Sequence, residues 1–144
     1  MAKYKQNIIP IVQTPEKWKN LSQKELRRKV FDYIKENFAN RGTVKNNCLG
    51  INVQITVHAS RKTAYGEAMY LKKAAVIIAL PEIIQNAVYN NWGDRKDSDG
   101  ENIIGFLNFK CKCIIDNKTE HLRLAIRVQN DGKFYYNVEV NKTS

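Results

Sequence analysis

Acidic residues are scarce in this chain, and the other shortages beside them narrow its chemistry. Against 24 Lys and Arg stand 14 Asp and Glu, which leaves a formal net charge of +10. That balance favours polyanionic partners, nucleic acid first among them. Histidine occurs twice, too few for zinc catalysis of the usual kind. The three cysteines, Cys48, Cys111 and Cys113, are odd in number and form no C-x-x-C pair. This argues against a disulfide framework or a zinc knuckle and for free thiols in a reducing compartment. There is no Gly-rich phosphate loop, no serine nucleophile elbow, no H-E-x-x-H and no carboxylate cluster suited to two metals. The longest apolar run, Ala74 to Leu80, is far too short to span a bilayer. The basic N-terminus MAKYKQNIIPIVQ carries too short an apolar stretch for a signal peptide, and Pro10 cuts it. The expectation is a cytoplasmic protein with no membrane segment, no metal and no cofactor.

What the chain does contain is a core. With 144 residues and 43% hydrophobic content it is expected to fold as a single domain over 1–144. Residues 1–41 read as a helical N-terminal part. Thr14-Pro15-Glu16 places a capping residue ahead of a proline suited to a first helical position. Ser22 and Glu25 form a capping box, after which Leu26, Val30, Ile34 and Phe38 recur at helical spacing and Gly42 offers a stop.

Residues 42–144 read as a strand, two helices and a three-stranded meander. INVQITVH (Ile51 to His58) alternates strictly, with Asn52, Gln54, Thr56 and His58 on the polar side. Ser60 is a candidate cap for a helix bearing Arg61 and Lys62 in its first turn. Cations there oppose the helix dipole, so either an anion sits at that end or the segment is a loop. Ala68 to Leu80 favours helix, and Pro81 starts a second helical segment, PEIIQNAVYN. NWGDRKDSDGE (Asn91 to Glu101) reads as a solvated loop. Its acids miss the calcium-loop pattern, because Arg95 falls at the first ligand position.

The meander consists of IIGFLNFKCKCII, EHLRLAIRVQ and FYYNVEV. A two-residue loop at Asn117-Lys118 would pair Lys112 with Arg123, Asn108 with Arg127 and Cys111 with Leu124. The second connection must be odd in length, and three residues around Gly132 with a bulge satisfy that. The fold class expected is α+β, with N-terminal helices packed on one face of a twisted, mainly four-stranded antiparallel sheet.

The polar side of TEHLRLAIRVQ is the centre of interest. Leu122, Leu124, Ile126 and Val128 share one face, while His121, Arg123 and Arg127 share the other. Neighbouring strands add Thr56, His58, Asn108, Lys110, Lys112, Tyr135 and Asn137 to that open face, with Asp116 and Glu139 only at its ends. RNA cleavage without metal needs few parts. A group of near-neutral pKa takes the 2′-hydroxyl proton, cations hold the developing charge, and an acid protonates the leaving 5′-oxygen. Histidine suits the proton transfers and arginine the charge, and tyrosine can stack on a base. Each residue also has a plain alternative, as a surface hydrogen-bonding group or a blunted edge.

The stretch VHASRKTAYGEAMYLKKAAVIIALPEIIQNAVY, followed by three strands ending in FYYNVEV, resembles the superfamily that joins barnase, EndoU, colicin and RelE-like ribonucleases. It is most similar to the versions carried as domains of phage and polyvalent mobile-element proteins. The resemblance spans about the last two thirds of the chain. It implies a four-stranded antiparallel sheet whose open face cuts RNA, often tRNA, without metal, and a cognate immunity or antitoxin protein as partner. Residues matching in kind are His58, Arg61 and Lys62 at the strand exit, and His121, Arg123 and Arg127 in the hairpin. The glutamate base of barnase-type members has no counterpart here, since Glu67 and Glu82 fall on predicted helices. The function expected is a toxin-like endoribonuclease leaving a 2′,3′-cyclic phosphate. His121, Arg123, Arg127 and His58 would be catalytic, and Arg61, Lys62, Lys110, Lys112, Tyr135 and Asn137 would bind RNA. The alternative is a non-catalytic nucleic-acid-binding or interaction domain.

Overall fold

The structure, a computed structural model, describes residues 4–57 and 70–139. In chain order these form β1 (Ile11–Val12), a 3-10 turn (Glu16–Trp18), α1 (Gln23–Phe38), β2 (Gly42–Lys45) and β3 (Asn52–Ile55). There follow α2 (Leu71–Ile78), α3 (Leu80–Asn86), β4 (Val88–Asp94), β5 (Ile103–Ile115), β6 (Lys118–Gln129) and β7 (Phe134–Glu139).

The meander is present, but the sheet around it corrects the expected fold class. It has seven strands, ordered β1-β5-β6-β7-β3-β2 with β4 also on β5, and it is mixed: β1 lies parallel to β5 and β3 parallel to β7. A mainly four-stranded antiparallel sheet is therefore wrong. The reason lies in the backbone of β5. At 13 residues it presents a long second edge whose N–H and C=O groups need partners. Segments with weak strand character of their own supply them. VYNNWGD, read as helix tail and loop from its asparagines and glycine, becomes β4 against Gly105 to Lys110. The N-terminal segment, read as helical, runs extended beside the other half, where the Ile114 and Asp116 amides donate to the Pro10 and Val12 carbonyls at 2.8 and 3.0 Å. Between the two, Gln6 closes the edge with its side chain. Its Oε1 accepts from the Lys112 amide at 2.7 Å and its Nε2 donates to the Lys112 carbonyl at 2.8 Å, as a strand's backbone would.

The β5–β6 register also differs from the expected one, by two residues. Asp116 and Asn117, at φ of +48° and +69°, are the turn, and Lys118 belongs to β6. Two successive left-handed residues make the type I′ hairpin that matches strand twist, and Asp and Asn tolerate that conformation where Lys does not. Lys112 thus pairs with His121, Lys110 with Arg123 and Phe106 with Arg127. A shift of two keeps every side chain on its face. The second connection is as expected: the Gln129 amide donates to the Lys133 carbonyl at 3.1 Å around Asn130-Asp131-Gly132, with Gly132 at φ +82°.

Helices seal one side. Ser22 and Glu25 form the capping box, and Leu26, Val30, Ile34 and Phe38 are all buried. Gly42 does not stop α1, which ends at Phe38; at φ +78° it opens β2. Ala74, Ala75, Val76, Ile77, Ile83 and Ile84 come from α2 and α3, with Pro81 in the first turn of α3. They meet Phe109, Cys111, Cys113, Leu122, Leu124, Ile126, Tyr136 and Val138 from the sheet. Buried Asn46 ties β2 to the end of α3, donating to the Ile84 and Ala87 carbonyls at 2.8 and 3.0 Å and accepting from the Leu49 amide at 3.0 Å. Strand β3 is shorter than expected, leaving the sheet after Ile55.

Thr14 is no helix cap. It is buried, and its amide and hydroxyl donate to the two Asp116 oxygens at 2.7 and 2.6 Å, fastening the N-terminal segment to the hairpin turn. Burial works against the Asp116 charge, but the Thr14 hydroxyl, the Thr14 amide and Lys19 together outweigh it and hold the carboxyl below its ordinary range. A carboxyl of depressed folded pKa contributes stability above its unfolded value, about 3.9, and loses it as pH falls through the folded one. Acid titration of thermal stability should therefore show a shallower acid-side decline in Asp116→Asn than in wild type. Parallel declines would contradict the clamp.

Candidate nucleic-acid interface

Because β5, β6 and β7 pair in register, the polar residues of the three strands stand in rows across the side away from the helices. One row runs Lys112–His121, the next Lys110–Arg123–Glu139, the next Asn108–Ala125–Asn137, and the last Phe106–Arg127–Tyr135. Parallel pairing continues that last row to Gln54 of β3 and Thr43 of β2, while β4 adds Asn91 beside Asn108. Alternation along each strand then sets the exposure. His121, Arg123, Lys110, Lys112 and Asn137 are exposed, whereas Asn108, Ala125, Arg127, Tyr135 and Thr56 are half-buried.

The charge on this face is mainly positive. Its one acidic position in the strand register is Glu139, at the end of β7 opposite Arg123; Asp116 is committed to Thr14 at the turn, and Glu120 points to the core side. The two described salt bridges, Lys19–Glu16 and Lys72–Glu120, involve none of its cations. Of the two acids that could pair with Arg123 or Arg127, Asp116 is taken by Thr14, and Glu139 stands in register with Arg123. Arg127 instead lies over the Tyr135 ring, 5.2 Å from its centroid. With the Gln129 amide turned to present its oxygen, Arg127 Nε and Nη2 donate to it at 3.1 and 3.2 Å. The guanidinium is thus held over an aromatic ring and tied to Gln129 before any ligand arrives.

Of the residues singled out from sequence, Lys110, Lys112, His121, Arg123, Arg127, Tyr135 and Asn137 come together here, and Asn108 with them; Thr56 lies past the end of β3, outside the paired rows. His58, Arg61 and Lys62 lie outside the described residues. Sequence reasoning missed Phe106, Gln54 and Asn91. Alternation from Lys110 and Asn108 would have found Phe106; Asn91 carried no signal while its segment read as a loop.

Two polar features on the core side are structural. Lys72 Nζ lies 3.1 Å from Glu120 Oε2, both nearly buried. Glu120 falls in the same alternating series as Leu122, Leu124 and Ile126, which turns it inward. A pair so enclosed adds little net stability, but losing one partner would cost about 3–5 kcal/mol. Burial pushes the Cys111 thiol up to about 12 and the Cys113 thiol to about 11, helped at Cys111 by Cys113 and at Cys113 by Glu82 and Glu120. Neither is a nucleophile at neutral pH.

The fold is thus a mixed seven-stranded sheet sealed by helices on one side, with Lys110, Lys112, His121 and Arg123 exposed on the other. The chain belongs to the large polyvalent protein-associated domain 3 family, whose model matches residues 22–136. That family ties it to large polyvalent proteins, of the kind carried by phages and mobile elements. Comparison with curated proteins and with solved structures yields no match. The matched span runs from the cap of α1 into β7 and includes His121, Arg123, Arg127 and Tyr135.

The cysteine environments give a direct check. Native protein at mildly alkaline pH should label with a thiol reagent at half-buried Cys48, and at Cys111 and Cys113 only after denaturation. Rapid labelling of all three would mean that the core side is not sealed as described.

Proposed function

We propose that this domain is a metal-independent endoribonuclease that works on its open sheet face. The observation that carries the reading is His121 set directly opposite Lys112 and beside the Lys110–Arg123 pair, three cations next to one imidazole. In the reaction the RNA 2′-oxygen attacks the adjacent phosphorus and the bond to the 5′-oxygen breaks. A cyclic 2′,3′-phosphate and a 5′-hydroxyl result. His121 transfers one of the two protons, from the nucleophile or to the leaving group. Arg123, Lys110 and Lys112 neutralise the charge that gathers on the non-bridging oxygens. The ribonuclease superfamily resemblance supports the same chemistry, and makes His58 the candidate for the second proton and a cognate inhibitor protein the expected partner.

A second reading has one observation in its favour. General acid–base cleavage uses two proton-transfer groups, and the described part of the face holds one imidazole. On that reading the face binds RNA and does not cut it.

Incubation of purified protein with total tRNA in EDTA, followed by end-group analysis, separates the two. Cleavage predicts discrete fragments with cyclic-phosphate ends. His121→Ala should lose about 10²-fold or more in rate, and Arg123→Ala should lose activity as well, both at wild-type thermal stability. Intact RNA that shifts on a native gel would overturn the nuclease reading in favour of binding. Intact RNA without a shift would overturn both.

A further inference from the structure

The open face is not uniformly covered by side chains. Its central row is Asn108–Ala125–Asn137, and Ala125 is a methyl group among long neighbours: Arg123 and Arg127 lie two residues either way along β6. Strands stand about 4.8 Å apart, so the Asn108 and Asn137 backbones are about 10 Å apart across it. The result is a hollow floored by Ala125, walled by two amides across the strands and by two guanidiniums along them. Its walls are held apart. The Asn108 amide leans over Gly93 of β4, where a side-chain carbon on Gly93 would come within 3.1 Å of Nδ2. Arg127 is stacked on Tyr135 and tied to Gln129. Among the described residues neither the Asn108 nor the Asn137 amide has a hydrogen-bond partner, so each keeps donors and an acceptor for a ligand.

We infer that the Ala125 hollow is a base-binding subsite, and that the ligand of this face is single-stranded RNA carrying an unstacked base rather than an RNA duplex. The inference rests on the reading that the face binds RNA, and it names which form of RNA. A base has a flat π-face and polar edges. The Tyr135 ring and the Arg127 guanidinium over it offer it π-faces to stack on, and the two amides offer hydrogen bonds to its edges. Arg123, Lys110 and Lys112 are then left for the phosphates on one side of that base. Charge selects a nucleic-acid strand as the occupant, since Lys110, Lys112, Arg123 and Arg127 outnumber the single acidic position, Glu139, and the proposed ribonuclease reading selects RNA. Shape selects the single strand, because bases in a duplex are paired and stacked and do not present their faces to a sheet.

The test uses fluorescence anisotropy with 2′-O-methyl oligonucleotides of about ten residues, whose blocked 2′-oxygens prevent cleavage, single-stranded and as the matching duplex. Wild type should prefer the single strand. Ala125→Ile fills the hollow with a residue that suits an exposed strand position. It should weaken single-strand binding about tenfold and leave duplex binding and the salt dependence unchanged, because no phosphate contact is lost. Asn108→Ala with Asn137→Ala removes the edge contacts without adding bulk, and should also weaken single-strand binding. Lys110→Ala with Arg123→Ala should instead flatten the salt dependence for both ligands. Wild-type single-strand affinity in the Ala125 and asparagine variants, with loss in the Lys110/Arg123 variant, would overturn the subsite while leaving RNA binding intact. Absence of salt-sensitive binding to either form in wild type would overturn the RNA reading itself.

Discussion

The register of β5 against β6 is the constraint on which the rest depends. It is fixed at one end by two left-handed residues, Asp116 and Asn117, and along its length by the alternation of the two longest strands. Once Lys118 pairs with Ile115, every side chain of both strands is assigned a face and a cross-strand neighbour. Phe109, Cys111, Cys113, Leu122, Leu124 and Ile126 must be covered by helices, and Lys110, Lys112, His121, Arg123 and Arg127 must share the other side. The Asp116 carboxylate that shapes the turn also anchors Thr14, so the same two residues hold β1 in place.

The second constraint is the unpaired edge of β5. A strand of 13 residues needs more backbone partners than its hairpin provides, and the chain finds them in β4, in the Gln6 side-chain amide and in β1. These additions make the sheet mixed. They also extend the open face on the β4 side, where Asn91 and Gly93 flank Asn108. Buried polar groups stabilise the joints rather than the chemistry. Asn46 satisfies carbonyls at the end of α3, and the Lys72–Glu120 pair bridges α2 to β6.

Much of the face was legible in the sequence because strand alternation is local. The period of two in TEHLRLAIRVQ separates its leucines from its arginines whatever the register, so a two-residue error in the turn left the residue set intact. The capping box at Ser22 and Glu25 and the break at Pro81 were legible for the same reason: each is a short-range interaction. What could not be read was long-range. Thr14-Pro15-Glu16 has helix-start chemistry, but Asp116, 102 positions away, claims the Thr14 hydroxyl. VYNNWGD has poor strand propensity, and tertiary pairing with β5 overrides it. The parallel neighbours β1 and β3 depend on crossovers that periodicity does not reveal. His58, Arg61 and Lys62 lie outside the described residues, so the candidate site rests on the meander alone.

The functional account therefore reduces to an asymmetry between two sides of one sheet. One is apolar, helix-covered and closed to solvent. The other is mainly cationic, carries one imidazole among the described residues and holds a guanidinium over a tyrosine ring. Four of the 24 Lys and Arg of the chain, Lys110, Lys112, Arg123 and Arg127, stand on that side. The most direct test of that asymmetry is amide chemical-shift mapping of isotopically labelled protein titrated with a 2′-O-methyl single-stranded oligonucleotide. The account predicts shifts concentrated at the odd-numbered positions of β6 from His121 to Arg127, with Lys110, Lys112, Tyr135 and Asn137, and α1 and α2 unmoved. Shifts centred on α1, or spread evenly over the surface lysines, would contradict it.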